Sequence, residues 1–124
     1  MRVLIVDDSR AMRTILKKIV AELGFDEILE AENGVQGLVQ LRKAGPPDLV
    51  LVDWNMPEMT GIEFVERVRK DDTYAGSLMM MVTTETETAR VVEALEAGAD
   101  EYLMKPFTPE VLREKIELLR AQQA

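Results

Sequence analysis

The stretch Leu49–Gly61, LVLVDWNMPEMTG, decides the fold that we predict for this chain. Its first four residues are apolar, as is typical of a strand buried on both faces, and the run stops at Asp53. A loop containing Pro57 and Gly61 follows. Ligand sites of open α/β sheets lie at the carboxyl ends of their strands. We therefore expect Asp53 to stand at such an edge.

The composition predicts one soluble domain. The chain has 124 residues, of which 47% are hydrophobic and 31% charged, and no apolar run approaches the roughly 20 residues of a membrane span. The absence of cysteine excludes disulfides, thiol catalysis and thiolate metal sites. No signal peptide precedes the first strand-like run, so we expect a cytoplasmic protein.

The charge pattern favours a hard cation as ligand. The chain has no histidine, which removes the commonest general base and transition-metal ligand. Its formal net charge of −8 argues against nucleic acid or an anionic membrane as partner. Acidic clusters without histidine or cysteine suggest Mg²⁺ or Ca²⁺ held by oxygen.

Apolar runs alternate with helical patterns five times. The predicted strands are Val3–Val6, Ile28–Ala31, Leu49–Val52, Leu78–Val82 and Tyr102–Met104. The predicted helices are Ser9–Leu23, Val35–Lys43, Ile62–Lys70, Thr86–Ala97 and Pro109–Gln122. This alternation predicts an α/β fold of three layers with a doubly wound, five-stranded parallel sheet, because five units are too few for a barrel of eight.

Helical spacing also predicts which side chains face the core. In the first helix the apolar stripe includes Ile15 and Leu16. In the fourth helix Val91, Val92 and Leu95 share one side. We expect these residues to pack against the sheet.

Chemically distinctive residues follow four of the predicted strands. Asp7 and Asp8 follow the first, Asp53 the third, Thr83 the fourth and Lys105 the fifth. In a parallel sheet these ends meet at one edge. Three carboxylates in close quarters repel unless a cation joins them, and Mg²⁺ prefers such oxygen ligands.

Each of these residues also has an ordinary interpretation. Asp8 could cap a helix, Asp53 could begin a turn and Lys105 could be a solvated lysine. Thr83 could be a strand-end hydroxyl, and Tyr102 a partly buried strand aromatic. All of these explanations would have to hold independently at four strand ends, so we favour a functional site.

The same residues resemble a known family. Asp7-Asp8, Asp53 within DWNMP, Thr83 after MMMV and Lys105-Pro106-Phe107 are similar to the motifs of the receiver domains of two-component response regulators, above all the single-domain regulators of chemotaxis. The resemblance spans the chain and implies one response regulatory (receiver) domain over residues 1–124. It also implies the flavodoxin-like strand order 2-1-3-4-5.

The resemblance implies a phosphoryl-accepting site. Asp53 would accept a phosphoryl group from a phosphohistidine on a partner histidine kinase. Mg²⁺ would be bound by Asp8, Asp53 and the backbone carbonyl of Asn55, with Asp7 acting through a metal-bound water.

It also implies a switch. Lys105, preceding a cis Pro106, would pair with Asp53 or with a phosphoryl oxygen, and Thr83 would donate its hydroxyl to another. Drawing Thr83 inward would let Tyr102 rotate inward and change the surface of the fourth helix, fifth strand and fifth helix.

Three further residues are expected to tune dephosphorylation. Asn55 and Glu85 would orient the hydrolytic water, whereas Thr84, where the chemotaxis regulators have a smaller alanine, would crowd it. The protein would thus be a signalling protein that catalyses its own phosphoryl transfer and autodephosphorylation, and not an enzyme in the ordinary sense.

The expected partners are proteins. The output would be a flagellar motor switch protein or a histidine phosphotransfer protein. The alternative is a receiver module of a longer protein, or a phosphorelay or phosphate-sink intermediate, unrelated to motility. We expect a monomer, and the polar tail modestly favours a free-standing protein.

Three rival functions remain. A phosphatase of the haloacid dehalogenase type usually places a second acid two residues after its nucleophile, where this chain has the amide Asn55. A flavodoxin-type cofactor binder needs a hydroxyl- and glycine-rich loop where this chain has Asp7-Asp8. An inert scaffold would not need the complete set of site residues.

Overall fold

The computed structural model describes residues 1–84 and 88–123. In this part of the chain the strands are β1 (Arg2–Val6), β2 (Glu27–Ala31), β3 (Leu49–Val52), β4 (Leu78–Thr83) and β5 (Glu101–Met104). The α-helices are α1 (Arg10–Glu22), α2 (Gly34–Ala44), α3 (Gly61–Arg69), α4 (Thr88–Ala97) and α5 (Pro109–Gln123), and a short 3-10 helix covers Asp72–Tyr74. The predicted strands and helices are therefore confirmed, with bounds that differ by a residue or two. The predicted start of the fourth helix, Thr86, lies outside the described residues.

The sheet has the order β2-β1-β3-β4-β5, and all of its strand pairs are parallel. This confirms the doubly wound fold and the strand order that the resemblance implied. In the register, Val6 of β1 lies beside Val52 of β3, which lies beside Met81 of β4. The carboxyl ends of the three central strands therefore finish side by side.

Both faces of the sheet are buried, as the apolar strands predicted. Val6, Val52 and Met81 belong to a core shared with residues of α2, α3 and α4. Alternate strand residues, such as Ile5 and Met80, belong to a second core shared with residues of α1 and α5. This two-sided burial leaves the strand ends as the place where polar side chains gather.

Three helices begin at polar caps just beyond strands. Ser9, Asn33 and Thr60 accept hydrogen bonds from backbone N–H groups three residues further on, at 3.2, 2.9 and 3.2 Å. Ser9 thus caps α1, which leaves the carboxylate of Asp8 available for another role. None of the helices in the described ranges is long and apolar enough to cross a membrane.

Some predictions of side-chain burial were wrong. Ile15, Val92 and Leu95 are 45–49% exposed. In α4 the core contact is instead made by Ala94, which is fully buried, with Val91 half-buried beside it. Helical spacing predicts the centre of the apolar face of a helix but not how wide the buried part of that face is. Here the sheet covers only a narrow strip of each of these helices.

Candidate functional site

The predicted carboxylates do meet at the carboxyl edge of the sheet. One oxygen from each of Asp7, Asp8 and Asp53 lies within 4.8 Å of the others. The N–H of Asp7 donates to the carbonyl of Ala31 at 3.1 Å, and that of Asp53 donates to Val6 at 2.9 Å. These bonds continue the parallel ladder one residue beyond the strands. They fix the backbone that carries the two buried carboxylates, while Asp8 is exposed.

Lys105 is the cation beside this cluster. Its Nζ lies 3.3 Å from Oδ2 of Asp7 and 3.5 Å from Oδ1 of Asp53. Its backbone N–H donates to the carbonyl of Thr83 at 2.8 Å, which ties the loop after β5 to the end of β4. The bond between Lys105 and Pro106 is cis, as the resemblance implied.

The electrostatics of the cluster are unbalanced. Burial raises the pKa of the Asp53 carboxyl to about 6, and the negative charges of Asp7 and Asp8 add to the rise, while Lys105 opposes it. One ammonium group cannot neutralise three carboxylates. A hard divalent cation would, and oxygen atoms this close together form a donor set that fits one.

The predicted switch residues lie next to one another in the sheet. Thr83 is fully buried at the end of β4. Tyr102 of β5 is 6% exposed and lies beside Met81 of β4 in the register. Its side chain is therefore already inside in this structure, and the rotation expected on activation stays a prediction.

Two of the three residues expected to tune dephosphorylation lie in the described part of the chain. Asn55 and Thr84 are exposed, whereas Glu85 lies outside the described residues. Trp54 is buried, and the guanidinium carbon of Arg90 in α4 lies 5.7 Å from the centre of its ring. This stacking links α4 to the loop that follows Asp53.

Sequence reasoning missed Arg13 as a positioning residue. Its side chain is buried, and Nη1 donates to the carbonyl of Asp7 at 2.7 Å while Nε donates to Glu30 at 3.1 Å. A signal was present, because Arg13 shares the buried face of α1 with Leu16 and Val20, three and seven residues further on. An arginine in an apolar stripe predicts a buried, paired charge.

Gly61 is a second residue whose role needs the structure. A Cβ atom at this position would lie 2.2 Å from the backbone oxygen of Asp53. The N–H of Gly61 also donates to the carbonyl of Trp54 at 2.8 Å. The start of α3 therefore packs directly on the backbone that carries the central carboxylate.

A parallel sheet with an acidic cluster at its carboxyl edge, faced by one lysine, defines a class of signalling domain. The family model described as the response regulator receiver domain matches residues 3–117. The chain therefore belongs to the response regulator receiver family, whose members are signalling proteins.

Individual relatives cover nearly the whole chain. It is 48% identical over 117 residues to a chemotaxis protein CheY homolog of Campylobacter jejuni, which spans 94% of this chain and 90% of that protein. It is 44% identical over 119 residues to the chemotaxis protein CheY1 of Helicobacter pylori, covering 96% of each. Among solved structures, chemotaxis protein CheY4 of Vibrio cholerae superposes with a TM-score of 0.86 at 37% identity, covering 94% of this chain and 95% of that one.

Proposed function

We propose that this protein is a phosphorylation-activated switch of a two-component system, in which Asp53 accepts a phosphoryl group from a partner histidine kinase. The observation that carries the proposal is the placement of the buried Asp53 carboxylate between Asp7, Asp8 and the ammonium group of Lys105. Membership of the receiver family supports the same role.

For phosphoryl transfer, the protein mainly has to position the reacting groups and to supply positive charge. An oxygen of Asp53 forms a bond to phosphorus while the bond from phosphorus to the donor imidazole nitrogen breaks, and its electron pair leaves with the imidazole. Charge spreads over the equatorial phosphoryl oxygens. Lys105 is positioned to pair with one of these oxygens, and we assign the hydroxyl of Thr83 to another.

Mg²⁺ is the cation that we assign to the acidic cluster. Asp8, Asp53 and the backbone carbonyl of Asn55 would hold it directly, and Asp7 through a bound water. When bound, the ion supplies the positive charge that lets carboxylates and phosphoryl oxygens share one site. Asp7 and Asp53 are held rigidly by backbone hydrogen bonds, so these donors are largely preorganised.

Activation would act through a population shift. A phosphoryl group on Asp53 recruits the hydroxyl of Thr83, and this biases Tyr102 and the α4–β5–α5 surface toward an active arrangement. That surface carries exposed apolar side chains, including Leu95 and Met104, which suit a protein partner.

The biological output that we propose is chemotaxis. The relatives named above are chemotaxis proteins, and a flagellar motor switch protein or a histidine phosphotransfer protein would read the surface. Asn55 and Glu85 would orient the water for autodephosphorylation, and Thr84 would slow it. A phosphate-sink role remains the alternative within the same family. A haloacid dehalogenase phosphatase is not favoured, because an amide stands at Asn55.

Trp54 gives a direct test of the site, because it adjoins Asp53 and is the only tryptophan of the chain. Its fluorescence should change on addition of Mg²⁺, and again on addition of beryllofluoride, a stable mimic of the phosphoryl group. Asp53→Asn should remove the second change, whereas the matched control Asp72→Asn, which neutralises an exposed carboxylate elsewhere, should keep both. Identical responses of the two variants would overturn the assignment.

A further inference from the structure

A second recess lies at the opposite edge of the sheet from Asp53. It is a cleft of about 410 Å³ between α2, α3 and the 3-10 helix Asp72–Tyr74, which precedes the start of β4. Its floor is apolar and consists of Leu38, Leu41, Val68 and the ring of Tyr74. A cleft of this size exceeds what one or two buried waters need and is in the range of ligand-binding recesses.

The rim of this cleft is basic in an acidic protein. The side chains of Arg42, Arg67 and Lys70 line it, and all three are exposed. The chain has 23 acidic and 15 basic residues, so carboxylates are in excess. Within residues 1–84 and 88–123, however, no carboxylate pairs with any of these three cations, although most other cations of the protein, such as Arg113 and Lys115, are paired.

Helix electrostatics explain only part of this clustering. Basic residues are favourable in the last turn of a helix, and α2 and α3 carry them there. The last turns of α1 and α4 contain none. The clustered cations are therefore a local feature of the cleft between α2 and α3. Asp71 is the acidic residue among those that line the cleft. Its carboxylate accepts a hydrogen bond from the N–H of Thr73 at 3.0 Å, so it caps the 3-10 helix and does not pair with the basic residues of the rim.

We propose that this cleft is a docking site for an acidic peptide segment that carries an apolar side chain, supplied by a partner protein. The apolar side chain packs on Leu38 and the ring of Tyr74, and flanking carboxylates pair with Arg42 and Arg67. The cleft is partly open to solvent, which suits a peptide better than a small metabolite, whose surface is normally enclosed. The site goes beyond the proposed phosphorylation switch and does not depend on it.

The test uses the complete, nitrogen-15-labelled chain and a defined probe, the blocked peptide Ac-Glu-Glu-Leu-Leu-Glu-Glu-NH₂ at low salt. The expected amide shift changes fall on residues 38–42 and 67–74, and they weaken as salt is added. The same peptide with glutamine in place of glutamate should bind at least about fivefold more weakly. The dissociation constant should not change when Mg²⁺ and beryllofluoride are added, which separates this site from the phosphorylation switch.

A matched pair of variants decides whether the contact is specific. Replacing Arg42→Gln together with Arg67→Gln should weaken binding about tenfold, because two ion pairs are lost. Replacing Arg10→Gln together with Lys18→Gln removes the same charge from exposed positions of α1 and should change binding less than about twofold. Shift changes on another surface, equal weakening by both pairs, or no binding would each overturn the proposal.

Discussion

The charges around Lys105, at the carboxyl edge of the sheet, and around Arg69, at its amino edge, are balanced to different degrees. At the carboxyl edge, the ammonium group of Lys105 faces two buried carboxylates, and the pKa of Asp53 is raised to about 6. At the amino edge, the guanidinium of Arg69 is matched by acceptors at 2.8–2.9 Å, which are the carbonyls of Tyr74, Ser77 and Gly98 and the carboxylate of Asp100.

Arg69 therefore holds the fold together, whereas the charges around Lys105 remain available for chemistry. Charge that is fully paired inside a protein stabilises one structure, whereas charge left unbalanced is available to a ligand. Substitution of Arg69 should therefore reduce stability and leave the acidic site intact. Substitutions at the carboxyl edge should change ligand binding, and removing a carboxylate there should stabilise the fold.

The largest effect is expected from Arg69→Met. It removes four hydrogen bonds at once, those to the carbonyls of Tyr74, Ser77 and Gly98 and to the carboxylate of Asp100, so we expect a loss of about 4 kcal/mol in the free energy of unfolding, measured with urea. Arg67→Met removes the same charge from an exposed position of the same helix and should cost less than about 0.5 kcal/mol. Equal losses for the two variants would contradict the comparison.

Asp53→Asn is expected to raise the free energy of unfolding of the metal-free protein at neutral pH, whereas Arg69→Met lowers it. The unfolded carboxyl titrates near 3.8 and the folded one at about 6, so the folded protein binds this proton more tightly. The stability of the metal-free protein should fall as the pH rises from about 4 to about 6, and above that the ionised group costs about 3 kcal/mol.

The variant should lack this fall and be more stable than the parent at pH 7. Thermal unfolding over a pH series, without metal and then with Mg²⁺, measures both effects. Mg²⁺ should stabilise the parent more than the variant. A variant less stable than the parent at pH 7 would show that the charge of Asp53 is well compensated.

A smaller effect is expected for Gly61→Ala, which tests whether the packing of α3 positions Asp53. The new methyl group meets the backbone oxygen of Asp53, so the loop must move, at a cost of about 2 kcal/mol. Gly76→Ala is the control, because a Cβ there meets nothing within 4 Å. If the fluorescence response of Trp54 to Mg²⁺ stays unchanged in Gly61→Ala, the packing of α3 does not position Asp53.

The smallest effect is expected for Thr84→Ala. If the β-branched side chain of Thr84 crowds the attacking water, its removal should speed loss of the phosphoryl group about threefold, which is well below 1 kcal/mol. The decay of phosphorylated protein after removal of the donor gives the rate. A rate equal to or slower than that of the parent would exclude this role for Thr84.

The sequence predicted the fold and the acidic cluster for the same reason. The apolar strands, and the aspartates Asp7 and Asp53 at which two of them end, can be recognised from neighbouring residues in the sequence. The parallel topology then brings those strand ends together. The roles of Arg13 and Gly61 were not predicted, because their partners, Glu30 and the backbone of Asp53, are brought to them by packing between separate helices and strands. Periodicity does not specify such contacts.

The same limit explains the errors on helix faces. Leu16 and Ile15 are adjacent in the sequence and equally apolar, yet Leu16 is 1% exposed and Ile15 is 49% exposed. The 3-10 helix that supplies Tyr74 to the second cleft has no apolar period at all. Its residues adopt that conformation because the chain must turn from α3 into β4.

The central claim is that Asp53 is reversibly phosphorylated in a cation-loaded acidic site. Intact-mass spectrometry after incubation with acetyl phosphate, with and without Mg²⁺, followed by borohydride reduction and peptide mapping, tests it most directly. We expect one added phosphoryl group that requires Mg²⁺, reduction to homoserine at position 53, and no addition in Asp53→Asn. Phosphorylation that maps to another residue, or no addition to the parent protein, would contradict it.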